Sequence, residues 1–314
     1  MMANDLKFTA QYPLDDMASA SKWCAPDVIC GYASKAEELG YSAIAFTEHP
    51  APTKNWITGV GGHAALDPFV ALTLCGSCTT VLGLVTYLAI APYRNPLLLA
   101  KSAVSVDLLS GGRLLLGLGA GYLDGEFRAM GVEREERAML LRETIEILPK
   151  AWSGQAFSAR GHHFDASDVV ISPAPERPIP IWLGGNSRTV RRWVAECADG
   201  WAPLLADSAA ASRAGTQPLS GPEALAAAVR ELHEIAQAMG RDAGQIQVQV
   251  KGPASRIRAG FDPSRQLDEV AALAAAGATY FVVHPLAEEP TEALDIMVEY
   301  GETVVRPYRK GVAS

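Results

Sequence analysis

The chain has 314 residues, of which 49% are hydrophobic and 20% are charged, so it is long enough to bury a large core. Its formal net charge of −8 excludes the basic face that binding to a nucleic-acid backbone requires. The first residues lack the basic start and apolar core of a signal peptide, and no segment has the uninterrupted apolar length of a membrane span. The sequence therefore predicts a cytoplasmic protein without nucleic-acid or membrane partners.

Strand and helix patterns alternate from residue 7 to residue 308. Apolar runs predict eight strands, at residues 7–12, 41–47, 81–86, 114–119, 181–183, 200–204, 246–251 and 280–284. Periodic segments predict the helices after them, at residues 26–39, 68–75, 96–109, 135–152, 189–197, 222–239, 267–276 and 291–308. Strands separated by helices pair in parallel. Eight such units favour an α/β fold with a closed (β/α)8 TIM barrel, as one domain over residues 1–314, over an open doubly wound sheet.

Two segments interrupt the alternation. Residues 153–180 carry four prolines and two histidines, which predicts an irregular insertion that contains a hairpin. Residues 206–221 are small and polar, which predicts a surface loop.

Five cysteines, an odd number at irregular spacing, argue against a disulfide framework. Cys75 and Cys78 form a CxxC pair, but no second pair or histidine cluster accompanies it. We therefore predict reduced cysteines that behave as small hydrophobic side chains.

The fourth predicted strand ends in Gly117, Gly119 and Gly121. Glycines at a strand end let a flat ligand approach the backbone closely. The pattern superficially resembles the dinucleotide fingerprint G-x-G-x-x-G, in which a helix starts directly after the last glycine. Counted from Gly117, that last glycine would fall at position 122, where this chain has Tyr122. Residues 123–127 do not predict a clean helix start, and the strand is the fourth in the chain rather than the first. We therefore discount dinucleotide binding.

His49 follows the second predicted strand, at the edge where barrels place their chemistry. It can donate or accept a proton near neutral pH, or it can tether a loop, and both interpretations remain open. Trp56, in the next loop, forms a pocket wall or packs in the core, whereas His63 is interpreted as structural. Asn95 precedes Pro96, which favours a helix cap over a ligand contact.

The predicted strand at residues 181–183 leads into Gly184, Gly185, Asn186, Ser187 and Arg188, after which a helix begins. Free N–H groups at a helix start favour an anion, and the serine and arginine add a hydroxyl and a positive charge. These features favour a phosphate site, although Asn186 or Ser187 can also serve only as a helix cap.

His162 and His163 are adjacent, and the sequence shows no further ligand at metal-binding spacing nearby. Adjacent residues rarely bind one ion, so we predict no metal site and assign both histidines to a surface or lid loop.

Taken together, the motifs resemble the bacterial luciferase-like superfamily of flavin and deazaflavin oxidoreductases. The resemblance runs from Lys7 to about Pro203 and is closest to the subgroup that uses coenzyme F420, a 5-deazaflavin. Its carriers are residues 46–50, 61–63, 66–69, 92–96, 111–113, 116–122, 126–127 and 180–185.

The resemblance implies a cofactor ring over the carboxyl ends of the strands and a non-proline cis peptide at Thr86–Tyr87. It also implies that the turn at residues 184–188 binds the phosphate of the cofactor side chain. The predicted cofactor-binding residues are Thr86, Tyr87, Asn95, Gly119, Ala120, Gly121, Tyr122, Gly184, Gly185, Asn186, Ser187 and Arg188.

The predicted function is hydride transfer between F420 and a small organic substrate, by a homodimer as in the family. His49 and Trp56 match positions that flank the hydride-transfer centre of deazaflavin-dependent sugar-phosphate dehydrogenases. Those enzymes have a glutamate after the second glycine, where this chain has Tyr122, so Glu126 is the candidate catalytic carboxylate. The alternatives are a reduced-FMN monooxygenase that uses O2 and a non-catalytic flavin- or deazaflavin-binding protein.

Overall fold

Eight parallel strands close into a barrel in the computed structural model, which describes residues 6–14, 20–59 and 62–312. Each strand pairs with its neighbours in chain order, and the last closes the ring on the first, with Phe281 opposite Phe8. The predicted TIM barrel is therefore confirmed. The strands are β1 (Lys7–Gln11), β2 (Ala43–Phe46), β3 (Gly83–Thr86), β4 (Leu114–Gly119), β5 (Ile181–Gly184), β6 (Gly200–Ala202), β7 (Gln247–Val250) and β8 (Tyr280–Pro285).

Helices surround the barrel and cover the outer face of the sheet. They are α1 (Ala20–Trp23), α2 (Pro26–Leu39), α3 (Lys54–Gly59), α4 (Pro68–Ser77), α5 (Pro96–Leu109), α6 (Asp124–Met130), α7 (Arg137–Ala151), α8 (Arg188–Cys197), α9 (Ser208–Arg213), α10 (Gly221–Ala238), α11 (Pro263–Ala275), α12 (Pro290–Tyr300) and α13 (Arg306–Val312). A π-helical turn, Gly301–Val305, joins the last two. No helix in the described ranges is long and apolar enough to cross a bilayer.

Capping residues fix where several of these helices begin. The side chain of Asp67 accepts hydrogen bonds from Phe69 N and Val70 N at the start of α4, and Asn95 accepts one from Leu97 N at the start of α5. Each cap is followed by proline, whose missing N–H costs nothing at the first helical position. These caps explain why the predicted helix starts at residues 68 and 96 are correct.

The two cysteines of the CxxC pair behave as predicted. All five are free thiols, and Cys75 is fully buried in the core between α2, α4 and the sheet. Cys78 is partly buried, and its Sγ lies 3.4 Å from Leu74 O. The CxxC pair therefore packs as small apolar side chains at a helix end.

Close packing explains the glycines of β4. A Cβ at Gly117 would lie 2.2 Å from the carbonyl oxygen of Thr86 on β3, so no larger residue fits there. Gly121 adopts a φ of +77°, which favours glycine. The backbone that follows β4 can therefore turn sharply across the top of the barrel.

Three local predictions were wrong. A helix does begin at Asp124, where none was predicted, because Asp124 and Glu126 place negative charge in its first turn. Because this helix is present, only two arguments against a dinucleotide fingerprint remain, namely that the strand is the fourth in the chain and that Tyr122 replaces a glycine. The non-proline cis peptide joins Tyr87 and Leu88, one residue later than predicted. Residues 206–221 are not a plain loop, since Asp207 caps the short helix α9.

The insertion contains the predicted hairpin. Its antiparallel strands are Phe157–Arg160 and Asp165–Val169, and they lie against α7 rather than joining the barrel. Glu143 of α7 accepts a 2.7 Å hydrogen bond from the backbone N–H of His162 at the hairpin turn. The insertion is therefore anchored to the outside of the barrel.

Candidate active site

A cavity of about 690 Å³ opens where the carboxyl ends of the strands meet. That volume is in the range of small-molecule and cofactor sites. Predicted site residues that line it are His49, Tyr87, Gly119, Ala120, Gly121, Tyr122, Gly184, Gly185, Asn186 and Ser187. Predicted residues that do not line it are Trp56, Thr86, Asn95, Glu126 and Arg188. Gly61, part of one resemblance motif, lies outside the described residues.

His49 and Glu126 form a pair at the edge of this cavity. The Nδ1 atom of His49 lies 3.4 Å from Oε2 of Glu126, and the two side chains are 7% and 2% exposed. His49 follows β2, whereas Glu126 comes from the first turn of α6. Because a catalytic hydrogen bond in a ligand-free site is often long and tightens on binding, this separation is compatible with a working pair.

Glu126 is a buried carboxylate with incomplete hydrogen bonding. Its Oε2 atom also accepts a 3.5 Å hydrogen bond from the Tyr93 hydroxyl, while Oε1 is buried and has no hydrogen-bond partner. A buried polar atom without a partner costs free energy, so a fold does not keep it for stability. The structure thus combines the histidine with a carboxylate whose remaining oxygen is unsatisfied.

Three aromatic rings surround the imidazole of His49. The ring centroids of Trp56, His63 and Tyr122 lie 4.5, 4.8 and 5.9 Å from that of His49. Burial, and then the nearby Glu126, raises the pKa of Tyr122 to about 12, so its phenol stays neutral and can donate a hydrogen bond. Trp56 packs on His49 without lining the cavity, so it positions the imidazole.

Glu48, the neighbour of His49, holds the loop after β3. Its Oε2 accepts a 2.5 Å hydrogen bond from Ile90 N, and its Oε1 accepts from the Arg94 guanidinium, which also binds Asp67 Oδ2 at 2.7 Å. Burial raises the pKa of Glu48, and the charge of Arg94 opposes that rise. The Arg94 and Glu48 pair is therefore structural, and it fixes the backbone that carries His49.

Replacing Glu48 by glutamine should lower the free energy of unfolding. The change leaves the guanidinium of Arg94 without its buried partner, and breaking such a pair typically costs about 3–5 kcal/mol. Because Asp67 still compensates Arg94, we expect a loss of about 2–3 kcal/mol, measured by urea unfolding. A change below about 0.5 kcal/mol would contradict this role.

The turn after β5 was predicted to bind phosphate, and some of its side chains make structural contacts. The side-chain amide of Asn186 donates to Leu204 O and Gln217 O and accepts from Leu204 N, so it braces two loops. Ser187 accepts from Val190 N as the cap of α8, and this end of the helix lines the cavity. Arg188 turns outwards, with 80% of its side chain exposed, and pairs with Glu231.

Two further predicted cofactor residues have structural partners instead. Thr86 is fully buried, and its hydroxyl donates to Gly117 O at 2.8 Å between β3 and β4. Asn95 is exposed and caps α5. Neither residue lines the cavity, because Thr86 is directed between β3 and β4 and Asn95 is held at the start of α5.

Several residues of the cavity wall were not predicted from the sequence. Lys251, just after β7, lines the cavity and donates a 2.6 Å hydrogen bond to Gln11 Oε1. Arg137 of α7 and residues 214–217 form other parts of the wall. Lys251 ends a predicted barrel strand, so the strand-end rule that identified His49 could have identified it. No sequence pattern predicts that residues 214–217 lie in the same cavity wall as the turn after β5.

The insertion does not line this cavity. None of the described residues 154–180 lines the cavity. The hairpin packs on the outer side of α7, while the inner side of the same helix contributes Arg137, Ala138 and Leu141 to the wall.

Comparisons with known proteins place the chain in a family. The sequence model of the luciferase-like monooxygenase family matches residues 14–302, so the chain belongs to that family. An F420-dependent glucose-6-phosphate dehydrogenase from Amycolatopsis mediterranei is 29% identical over 59% of this chain and 55% of its own. An F420-dependent hydroxymycolic acid dehydrogenase from Mycobacterium tuberculosis is 27% identical over 86% of this chain and 82% of its own.

The solved structure of coenzyme F420-dependent tetrahydromethanopterin reductase from Methanopyrus kandleri superposes on this chain with a TM-score of 0.74 and 16% sequence identity. The superposition covers 97% of this chain and 99% of the reductase chain. At this identity the match shows a common fold. The chain spans 55% of the length of the Amycolatopsis relative.

Proposed function

We propose that the protein is an oxidoreductase that transfers hydride between coenzyme F420 and a small organic substrate. The observation that carries the proposal is the buried His49–Glu126 pair at the edge of a glycine-lined cavity. The F420-dependent relatives named above support it, since this family resemblance extends over 86% of the chain in one case.

The residues present fit a flat cofactor. Parts of the cavity wall carry no side chains, because they are formed by Gly119, Gly121, Gly184 and Gly185. A Cβ at Gly184 would lie 1.9 Å from Leu88 Cδ1. The opening of α8, capped by Ser187, offers backbone N–H groups to a phosphate. When bound, a deazaflavin supplies a carbon that accepts or donates hydride.

His49 would exchange the proton that accompanies hydride transfer. Its Nδ1 faces Glu126, and the two ring nitrogens point away from each other, so Nε2 is the atom available to the substrate. An alcohol that loses hydride must also lose its hydroxyl proton, and a carbonyl that gains hydride must gain one. His49 Nε2 can accept or supply that proton, while Glu126 stabilises the charged imidazolium.

Tyr122 would shape the substrate site, and Trp56 would position His49. Trp56 holds the imidazole plane, and Tyr122 carries a neutral phenol next to His49. Tyr122 also stands where the sugar-phosphate dehydrogenases have their glutamate. We therefore propose a substrate other than a sugar phosphate.

Equilibrium binding tests the cofactor. We expect F420 to quench the tryptophan fluorescence of the purified protein with a Kd at least about tenfold below that of FMN, a difference of about 1.4 kcal/mol. Tighter binding of FMN, with oxygen uptake during turnover, would overturn the proposal. Tight F420 binding without turnover of any hydride acceptor would favour the non-catalytic alternative.

A reduced-FMN monooxygenase is the second candidate. The matching family model is that of luciferase-like monooxygenases, and the same cavity can hold either tricyclic ring. Oxygen dependence separates the two, because reduced flavin activates oxygen and the deazaflavin carbon suppresses that reaction.

A further inference from the structure

A second cluster of possible ligands lies outside the cavity, at the tip of the insertion. Nε2 of His162 lies 2.9 Å from Oε1 of Glu136, and Nε2 of His163 lies 3.0 Å from Oε2 of the same carboxylate. The three possible ligand atoms all lie within 4.8 Å of one another. The sequence shows no nearby partner for these histidines, because Glu136 is 26 residues from His162 in the chain.

The turn conformation explains how adjacent histidines converge. In a strand, successive side chains point to opposite faces, so neighbours cannot share one ion. His162 and His163 lie in the turn between the hairpin strands, where Gly161 N donates to Phe164 O. The two imidazole centroids are 4.6 Å apart at an angle of 79°. Glu143 holds the backbone of His162 in place.

We propose that Glu136, His162 and His163 bind a zinc ion, with water as the fourth ligand. Two imidazole nitrogens and one carboxylate oxygen are ligands that zinc prefers, at about 2.0–2.2 Å. Tetrahedral bonds of that length separate ligand atoms by about 3.3 Å, so ligand atoms that are now up to 4.8 Å apart must approach by as much as about 1.5 Å. The imidazoles are 43% and 56% exposed and can make this movement.

The site joins the insertion to the wall of the main cavity. Glu136 ends a short turn, Arg134–Glu136, and the next residue, Arg137, lines the cavity. Nη1 of Arg137 donates to Arg134 O within that turn. A bound ion therefore fixes the hairpin to the segment that positions Arg137, and metal binding raises the melting temperature.

Cobalt absorption and zinc competition test the proposal on the full chain, without a histidine tag and after treatment with a chelator. We expect one ion per chain and the visible absorption of tetrahedral Co²⁺, which zinc abolishes. Because loss of an outer partner alone costs about 10- to 100-fold in metal affinity, E136Q and H163Q should lose at least that much.

E135Q is the matched control, since it removes the same charge from the exposed neighbour of Glu136 and should bind within about twofold of the wild type. Far-UV circular dichroism checks that the variants are folded. Absence of binding to the wild type, or binding that E136Q and H163Q leave unchanged, would overturn the site. Neither result bears on F420 binding, so this test is independent of the proposed function.

Discussion

Replacing His49 by alanine should lower kcat by about 10²- to 10⁴-fold, the usual contribution of a positioned acid or base. The affinity for F420 should change by less than about threefold, because the glycine backbone and the start of α8 bind the cofactor in our account. The measurement is steady-state turnover together with the cofactor Kd from fluorescence. The imidazole lies at the cavity edge, so its loss removes the proton exchange without removing the cavity floor.

His63→Ala is the matched control for this prediction. His63 also lines the cavity, and its ring lies 4.8 Å from that of His49, but its Nδ1 is 2.9 Å from Ala64 O. Since the charged partner Glu126 is bound to His49, we expect His63→Ala to lower kcat by about tenfold at most. Equal losses of turnover and cofactor binding in His49→Ala would show that His49 binds the cofactor instead.

Glu126→Gln should separate activity from stability. We expect kcat to fall by about 10²-fold, because the amide cannot stabilise the imidazolium that forms when His49 takes a proton. The free energy of unfolding should stay equal to that of the wild type or rise by about 1 kcal/mol, because a neutral amide costs less to bury than a carboxylate with an unpaired oxygen. The amide oxygen can still accept from the Tyr93 hydroxyl.

The stability of Glu48→Gln is the comparison for that of Glu126→Gln. Both glutamates are buried, and both are close to His49 in space or in sequence. Glu48 is paired with Arg94 and holds Ile90 N, so its loss should destabilise the fold, whereas loss of Glu126 should not. A Glu126→Gln protein that is both inactive and less stable by about 2 kcal/mol would identify Glu126 as a structural residue.

The barrel could be predicted from the sequence, because the patterns that mark its strands and helices are local. Apolar runs marked all eight strands, and the Asn95 cap before Pro96 marked the start of α5. The errors arose where the signal was weak or came from elsewhere in the chain. The start of α6 has no capping side chain, and α9 lies in a segment of small residues that favours a loop by composition.

The candidate site was predictable where chain position alone decides. His49, Tyr87 and the glycines after β4 and β5 follow barrel strands, so the strand-end rule places them at the cavity. Side-chain direction was not predictable, because distant partners decide it. Arg188 turns to Glu231, and Asn186 braces residues that follow it by 18 and 31 positions. The proposed zinc ligands are likewise brought together by the fold of the insertion onto α7.

Isotope transfer shows directly whether the protein moves hydride from F420 to a carbonyl compound. Reduced F420 that carries deuterium at its reactive carbon is mixed with the protein and a panel of carbonyl compounds under isotopically labelled dioxygen, and the products are analysed by mass spectrometry. We predict one deuterium and no labelled oxygen in the product, with little product from His49→Ala. A product that contains labelled oxygen and no deuterium, formed with FMN in place of F420, would contradict the account.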